Sequence, residues 1–156
     1  MEFDLKPPSK KDLIEQITGY KGKIYFGVPI ETTIRHTGKV DRIDNATILA
    51  IMEHGSPVKN IPPRPLLKPV LMRHKEQILK VFNKIYKMLL NGDESGADRE
   101  MDILAQRVER WTKKFFVEDN GWAPNSPATI KRKGSDKPLI DTGSLRQSIR
   151  GIFVKK

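Results

Sequence analysis

Two long runs of helical periodicity lie back to back between residues 66 and 118, parted only by Asn91-Gly92. In the first, Leu67, Leu71, Ile78, Val81, Phe82, Ile85 and Leu89 recur at spacings that put them on one face of a helix. In the second, Met101, Leu104, Val108, Trp111 and Phe115 alternate three and four apart, a narrow stripe. Upstream stands Ile61-Pro62-Pro63-Arg64-Pro65-Leu66, whose prolines hold the backbone extended and fix where the first helix starts. Pro69 falls in the first turn, where a helix does not use the N–H that proline lacks. The pattern predicts helices over about 66–90 and 97–118. A connection this short forces them antiparallel, with Lys84 and Lys87 near the acidic start of the second.

The flanking sequence supplies smaller elements. Ser9 and Asp12 form a capping box before a short helix carrying Leu13, Ile14 and Ile17, ending at Gly19. Lys23 to Val28 is rich in aromatic and β-branched residues and predicts a strand. Within 30–43, Thr32-Thr33-Ile34 favours a strand and Thr37-Gly38 a turn. Asp44 and Asn45 cap a helix running to His54, stopped by Gly55 and apolar on nearly all sides, hence expected to be buried. Residues 119–138 lack periodicity and predict a long basic loop. A helix at 144–148 and a strand at 151–154 close the chain. The expected fold is α+β: a small antiparallel or mixed β-sheet packed against two long antiparallel helices, with short additional helices.

A chain of 156 residues without an internal repeat predicts a single domain over 1–156, with 1–9 flexible. There are no cysteines, which excludes disulfides and thiolate metal sites. The longest apolar run, Ile48 to Met52, is far too short to span a membrane, so a soluble intracellular product is expected. The net charge of +10 is uneven. Residues 61–90 carry seven basic and one acidic side chain, net +6, and 122–156 carry eight and two, again net +6. Between them, 91–121 carry five and eight, net −3. That distribution suits nucleic acid, an acidic partner surface, or charge pairing between helices.

One motif raises the question of catalysis. Leu139-Ile140-Asp141-Thr142-Gly143-Ser144 presents an aspartate as an aspartic protease does. Such an enzyme needs two aspartates sharing one proton. This chain has one such motif, only 15 residues follow Asp141, and the rest is dominated by helices. The alternative is structural: Asp141 or Thr142 caps the next helix, Gly143 permits an unusual backbone angle, and Leu139, Leu145 and Ile149 enter one core. The three histidines, His36, His54 and His74, have no i,i+4 partner among themselves, and His54 reads as a helix-dipole partner. Gly19, Gly22 and Gly27 match neither a phosphate loop nor a dinucleotide fingerprint. No enzyme, cofactor or metal site is expected. Lys131, Arg132 and Lys133, in a Gly/Pro-rich stretch after Trp122, are a candidate phosphate contact, so a basic nucleic-acid-binding module is the alternative function.

Two stretches read together resemble the tail-completion, or virion-morphogenesis, proteins of tailed bacteriophages. One is Ile48 to Gly55 followed by Ile61-Pro62-Pro63-Arg64-Pro65-Leu66-Leu67. The other is Trp122-Ala123-Pro124-Asn125-Ser126-Pro127-Ala128-Thr129, ending in Leu139-Ile140-Asp141-Thr142-Gly143-Ser144-Leu145-Arg146-Gln147-Ser148-Ile149. The likeness covers about residues 23–153, with His54 and Leu66 standing where the family usually has aromatics. The resemblance marks Gly55, Pro62, Arg64, Pro65, Trp122, Pro124, Asp141, Thr142, Gly143 and Leu145 as structural positions. It implies a non-catalytic ring, a hexamer favoured, at the head-proximal end of the tail or in the neck of the virion, made in the bacterial host cytoplasm. Its implied partners are neighbouring neck, connector, tail-tube or tail-terminator proteins, with genomic DNA passing through the lumen without sequence specificity. Lys131, Arg132 and Lys133 are expected to dock on an acidic neighbouring ring, because strong phosphate contacts in a lumen would brake the genome.

Overall fold

A computed structural model describes residues 9–29, 44–118, 120–134 and 143–156, the side chains of Leu13, Gln16, Arg132 and Lys133 excepted. In chain order the elements are α1 (Lys10–Gly19), β1 (Gly22–Gly27), α2 (Asn45–His54), α3 (Leu67–Arg73), α4 (Lys75–Leu90), α5 (Glu94–Phe115), α6 (Pro127–Lys133), α7 (Ser144–Ser148) and β2 (Arg150–Lys155), with a 3-10 turn at Pro57–Lys59. The expected α+β class holds: a two-stranded antiparallel sheet lies against α5, the partner of α4 in the long helical hairpin.

The hairpin forms as the periodicity demands. Val81, Ile85 and Leu89 of α4 meet Ala97, Met101, Leu104 and Val108 of α5 in one buried cluster. Lys84 reaches across to Glu100 at 2.6 Å, the pairing expected between the two helices. The second helix starts three residues earlier than expected, because Asp93 accepts a hydrogen bond from the Gly96 N–H and caps it.

The first long helix departs from expectation, being two helices broken at His74. There φ is −105° and ψ 13°, outside the helical range. The His74 ring lies flat on Trp111 of α5, centroids 4.0 Å apart and planes 6° from parallel. Beyond the break, α3 packs on the end of α5 and brings Val70 into a second core made by Leu49, Leu66, Val70, Phe115, Phe116, Leu145 and Ile149. Trp111 packs against both cores and joins them.

The sheet brings the two halves of the chain together, with Ile24 opposite Phe153 and Phe26 opposite Gly151. Ile24, Phe26 and Phe153 turn toward the hairpin core, while Tyr25, Ile152 and Val154 are exposed on the other face. Gly151 is required by proximity: a Cβ there would strike the Ala105 carbonyl of α5. Its N–H donates to Glu109 Oε2 at 2.9 Å, fastening β2 to α5. At the opposite end the Tyr20 hydroxyl donates to Asp98 (2.8 Å), and Lys155 bridges Asp98 and Glu94. Burial there, reinforced by the bond to Asp98, pushes the Tyr20 phenol above its ordinary value.

Other expectations need correction. The capping box of α1 is present, but Ile14 is exposed rather than part of an apolar face, and Ile17 is half-buried. Helix α2 buries one side, Asn45, Leu49 and Met52, while Thr47 and Ala50 face solvent. Residues 127–133, expected within a loop, form α6, with Ser126 accepting from the Thr129 N–H and Pro127 in the first turn. The possible strand in 30–43 and residues 135–138 of the expected loop lie outside the described residues.

Candidate functional site

The two stretches that carry the sequence resemblance meet at one place in the fold. The junction is built from the end of α2. Gly55 has φ 73° and ψ −177°, a conformation that only glycine adopts readily. A Cβ on it would stand 2.8 Å from the Ile61 carbonyl and 2.9 Å from the Pro63 nitrogen. This turn lets Ser56 and Ile61 pair back to back (Ser56 N to Ile61 O 2.9 Å, Ile61 N to Ser56 O 3.0 Å) around the Pro57–Lys59 turn. The proline segment then runs back beside α2, with the Arg64 N–H donating to the Met52 carbonyl at 2.7 Å.

From that position Arg64 turns inward and is almost fully buried. Its Nε donates to the Ala123 carbonyl at 2.9 Å and one terminal nitrogen to the Pro124 carbonyl at 3.1 Å. Burial lowers the guanidinium below its ordinary value, yet arginine stays charged under any ordinary condition. The neighbouring Pro65 carbonyl accepts the Trp122 indole N–H at 2.9 Å. The indole packs edge-on against Phe115 and Phe116, with centroids 5.6 and 5.8 Å away. Glu53 completes the arrangement: one carboxylate oxygen accepts the N–H groups of Leu66 (2.7 Å) and Leu67 (2.6 Å). It thereby caps α3, whose own N-cap residue, Leu66, offers no side-chain acceptor.

The last motif stretch joins the same core from below. Leu145 and Ile149 are buried in it, and Asn45 of α2 donates to the Ser144 hydroxyl at 3.1 Å. Gly143 occupies the N-cap position of α7 with φ 73°, the unusual angle expected of it. Asp141 and Thr142, expected as caps, lie outside the described residues, as do Leu139 and His36. Pro62 is exposed on the proline segment, and Lys131 is exposed on α6.

Sequence reasoning named Gly55, Arg64, Pro65, Trp122, Pro124 and Leu145; the fold ties Arg64 to Pro124 and Pro65 to Trp122 by hydrogen bonds, and Trp122 and Leu145 share one core. It missed Glu53, whose partners lie 13 and 14 residues downstream with no local signal. It also missed the stacked role of His74. His54 sits in the last turn of α2, where a cation suits the helix dipole. Among the described residues no group of three or more His, Cys, Asp or Glu side chains is placed to hold a metal ion. No helix among them is long and apolar enough to cross a membrane.

The class defined so far is a helix-rich α+β module in which Arg64, Pro65, Trp122 and Glu53 form a packing junction. No family model and no solved structure matches the chain. It is 32% identical over 97 residues to "Uncharacterized protein MJ0331" of Methanocaldococcus jannaschii, an alignment covering 56% of this chain and 72% of that protein. The chain belongs to the family of that archaeal protein.

Proposed function

We propose that this chain is a structural virion protein. It is a subunit of a ring, hexameric in our reading, that completes the head-proximal end of a phage tail or forms part of the neck and joins the tail to the DNA-filled head. The observation that carries the reading is the contact between the two motif stretches on which the resemblance rests. Arg64 and Pro65 from one stretch bind Ala123, Pro124 and Trp122 from the other. The relative's name says nothing of activity and adds nothing for or against the role.

In this reading the junction is a scaffold. It sets the base from which α6 projects, with Ser126 and Thr129 starting that helix directly after the Arg64-bound carbonyls. Lys131, Arg132 and Lys133 on α6 are the proposed contacts to an acidic neighbouring ring. No catalytic step is assigned to the chain. The test is reversal of Lys131, Arg132 and Lys133 to Glu in the infecting genome. Heads and tails should accumulate separately while the protein stays folded; normal yields of joined particles would refute the docking role.

A further inference from the structure

A second basic site lies on the other side of the molecule's chain order, where the last turns of α5 meet α7 and the start of β2. A cleft of about 410 Å³ is lined by Lys113, Gly143, Arg146, Gln147 and Arg150. Three cations thus converge from segments more than 30 positions apart in sequence. Two are held in fixed poses by backbone carbonyls. Arg146 Nε donates to the Lys113 carbonyl at 2.8 Å. One terminal nitrogen of Arg150 donates to the carbonyls of Gln147 (2.6 Å) and Ile149 (2.9 Å).

The only acidic side chain bonded to these cations among the described residues is Glu109, 2.5 Å from Lys113 and 4.0 Å from Arg150. Glu109 also holds the Gly151 N–H, so its position is fixed. Lys113 is therefore largely neutralised. Among the described residues no carboxylate pairs with Arg146, and Arg150 has only Glu109 at 4.0 Å. Holding each arginine through one nitrogen leaves its other donors oriented at little further entropic cost.

We propose that this cleft is a sequence-independent contact for the phosphate backbone of duplex nucleic acid. The lining decides between phosphate and protein. A protein interface needs an apolar centre, and among the described residues no apolar side chain lines this cleft. Base reading or strand stacking needs an aromatic face, and the described lining has none. What is present is two oriented guanidinium groups, an amide at Gln147 and an open glycine backbone, the donor set that positions a protein on phosphates. About two neutralised phosphates give a weak, salt-sensitive attraction that leaves the duplex free to slide. The proposal concerns residues apart from Lys131 to Lys133 and does not depend on the ring reading.

The test uses the full chain and a fluorescent duplex of arbitrary sequence, with binding followed by anisotropy across roughly 50 to 200 mM salt. The Arg146→Gln, Arg150→Gln double variant should reduce the slope of log K against log salt by about 2 in magnitude and weaken binding at least about tenfold. Circular dichroism should show unchanged helicity. Because Glu109 competes for the same cations, Glu109→Gln should tighten binding. An unchanged slope in a folded double variant overturns the proposal. So does a double variant that keeps duplex binding but loses binding to poly-glutamate, which would reassign the cleft to an acidic protein. Head–tail joining is read separately in particles, so either idea can fail alone.

Discussion

Arg64→Ala is the sharpest test of the motif junction. The side chain is only 8% exposed and makes two charge-assisted bonds, to Ala123 O at 2.9 Å and Pro124 O at 3.1 Å. Bonds from a charged donor contribute about 1.5–3 kcal/mol each. The low end applies here, because Pro124 is exposed and its carbonyl can turn to water once the arginine is gone. Two bonds at about 1.5 kcal/mol, with some lost packing of the aliphatic stem, come to about 3–4 kcal/mol. For a chain this size that lowers the melting temperature by roughly 10 °C. With a urea slope near 2 kcal/mol/M, the midpoint drops by about 1.5–2 M. Arg64→Lys should recover less than half of the loss, because an ammonium group cannot span two carbonyls as a fork does. The assay is urea unfolding followed by far-ultraviolet circular dichroism and by Trp122 fluorescence. A loss below about 1 kcal/mol for Arg64→Ala would show that the carbonyls are satisfied without it and that the junction does not depend on this residue.

Three further outcomes follow from the same structure. Gly55→Ala forces a side chain into a glycine-only conformation and against backbone atoms, so unfolding measurements should show a loss of at least about 3 kcal/mol; a neutral result would contradict the turn geometry. Trp122→Phe removes the indole donor to Pro65 O but keeps an aromatic ring, so it should lose only about 1 kcal/mol, much less than Trp122→Ala in the same denaturation assay. Glu109 gives a pH signature. Burial alone would raise its carboxyl, but the bonds from Lys113 and the Gly151 N–H, with the charges of Lys113 and Arg150, outweigh it and leave the group below 4.5. A depressed carboxylate stabilises the fold above its ordinary value and loses that contribution as pH falls through the folded value. The stability gap between the natural chain and Glu109→Gln should therefore be full near pH 6 and shrink progressively below 4.5; a gap independent of pH would refute the assignment.

The helical hairpin was legible because its apolar positions follow one period for many turns, and burial against an antiparallel neighbour rewards that period directly. The caps at Ser9, Asp44 and Gly55 were legible because they act within four residues. What could not be read were contacts between distant segments. His74 breaks a continuous helical pattern because Trp111, 37 positions away, offers a flat face to stack on, and nothing in residues 66–90 announces it. Glu53 caps a helix it does not belong to. Gly151 looks like an ordinary strand glycine until α5 is placed against it. α6 is a different case. Ser126-Pro127 is a local start signal, but a seven-residue helix carries no apolar stripe, and the prolines around it favoured a loop. For the site, sequence marked the residues of the junction without indicating that they touch. The basic cleft was half visible, since Arg146 and Arg150 stand four apart, while Lys113 joins them only through the packing of α7 on α5.

The central proposal, a ring at the head–tail junction, is tested most directly by a single-particle reconstruction of tailed particles made from a genome that carries the gene for this chain. The account predicts ring density at the head-proximal end of the tail or in the neck into which the α4–α5 hairpin and its two-stranded sheet fit, repeated around the axis, with α6 turned toward the adjacent ring. A well-resolved junction whose density is wholly accounted for by other chains would contradict it.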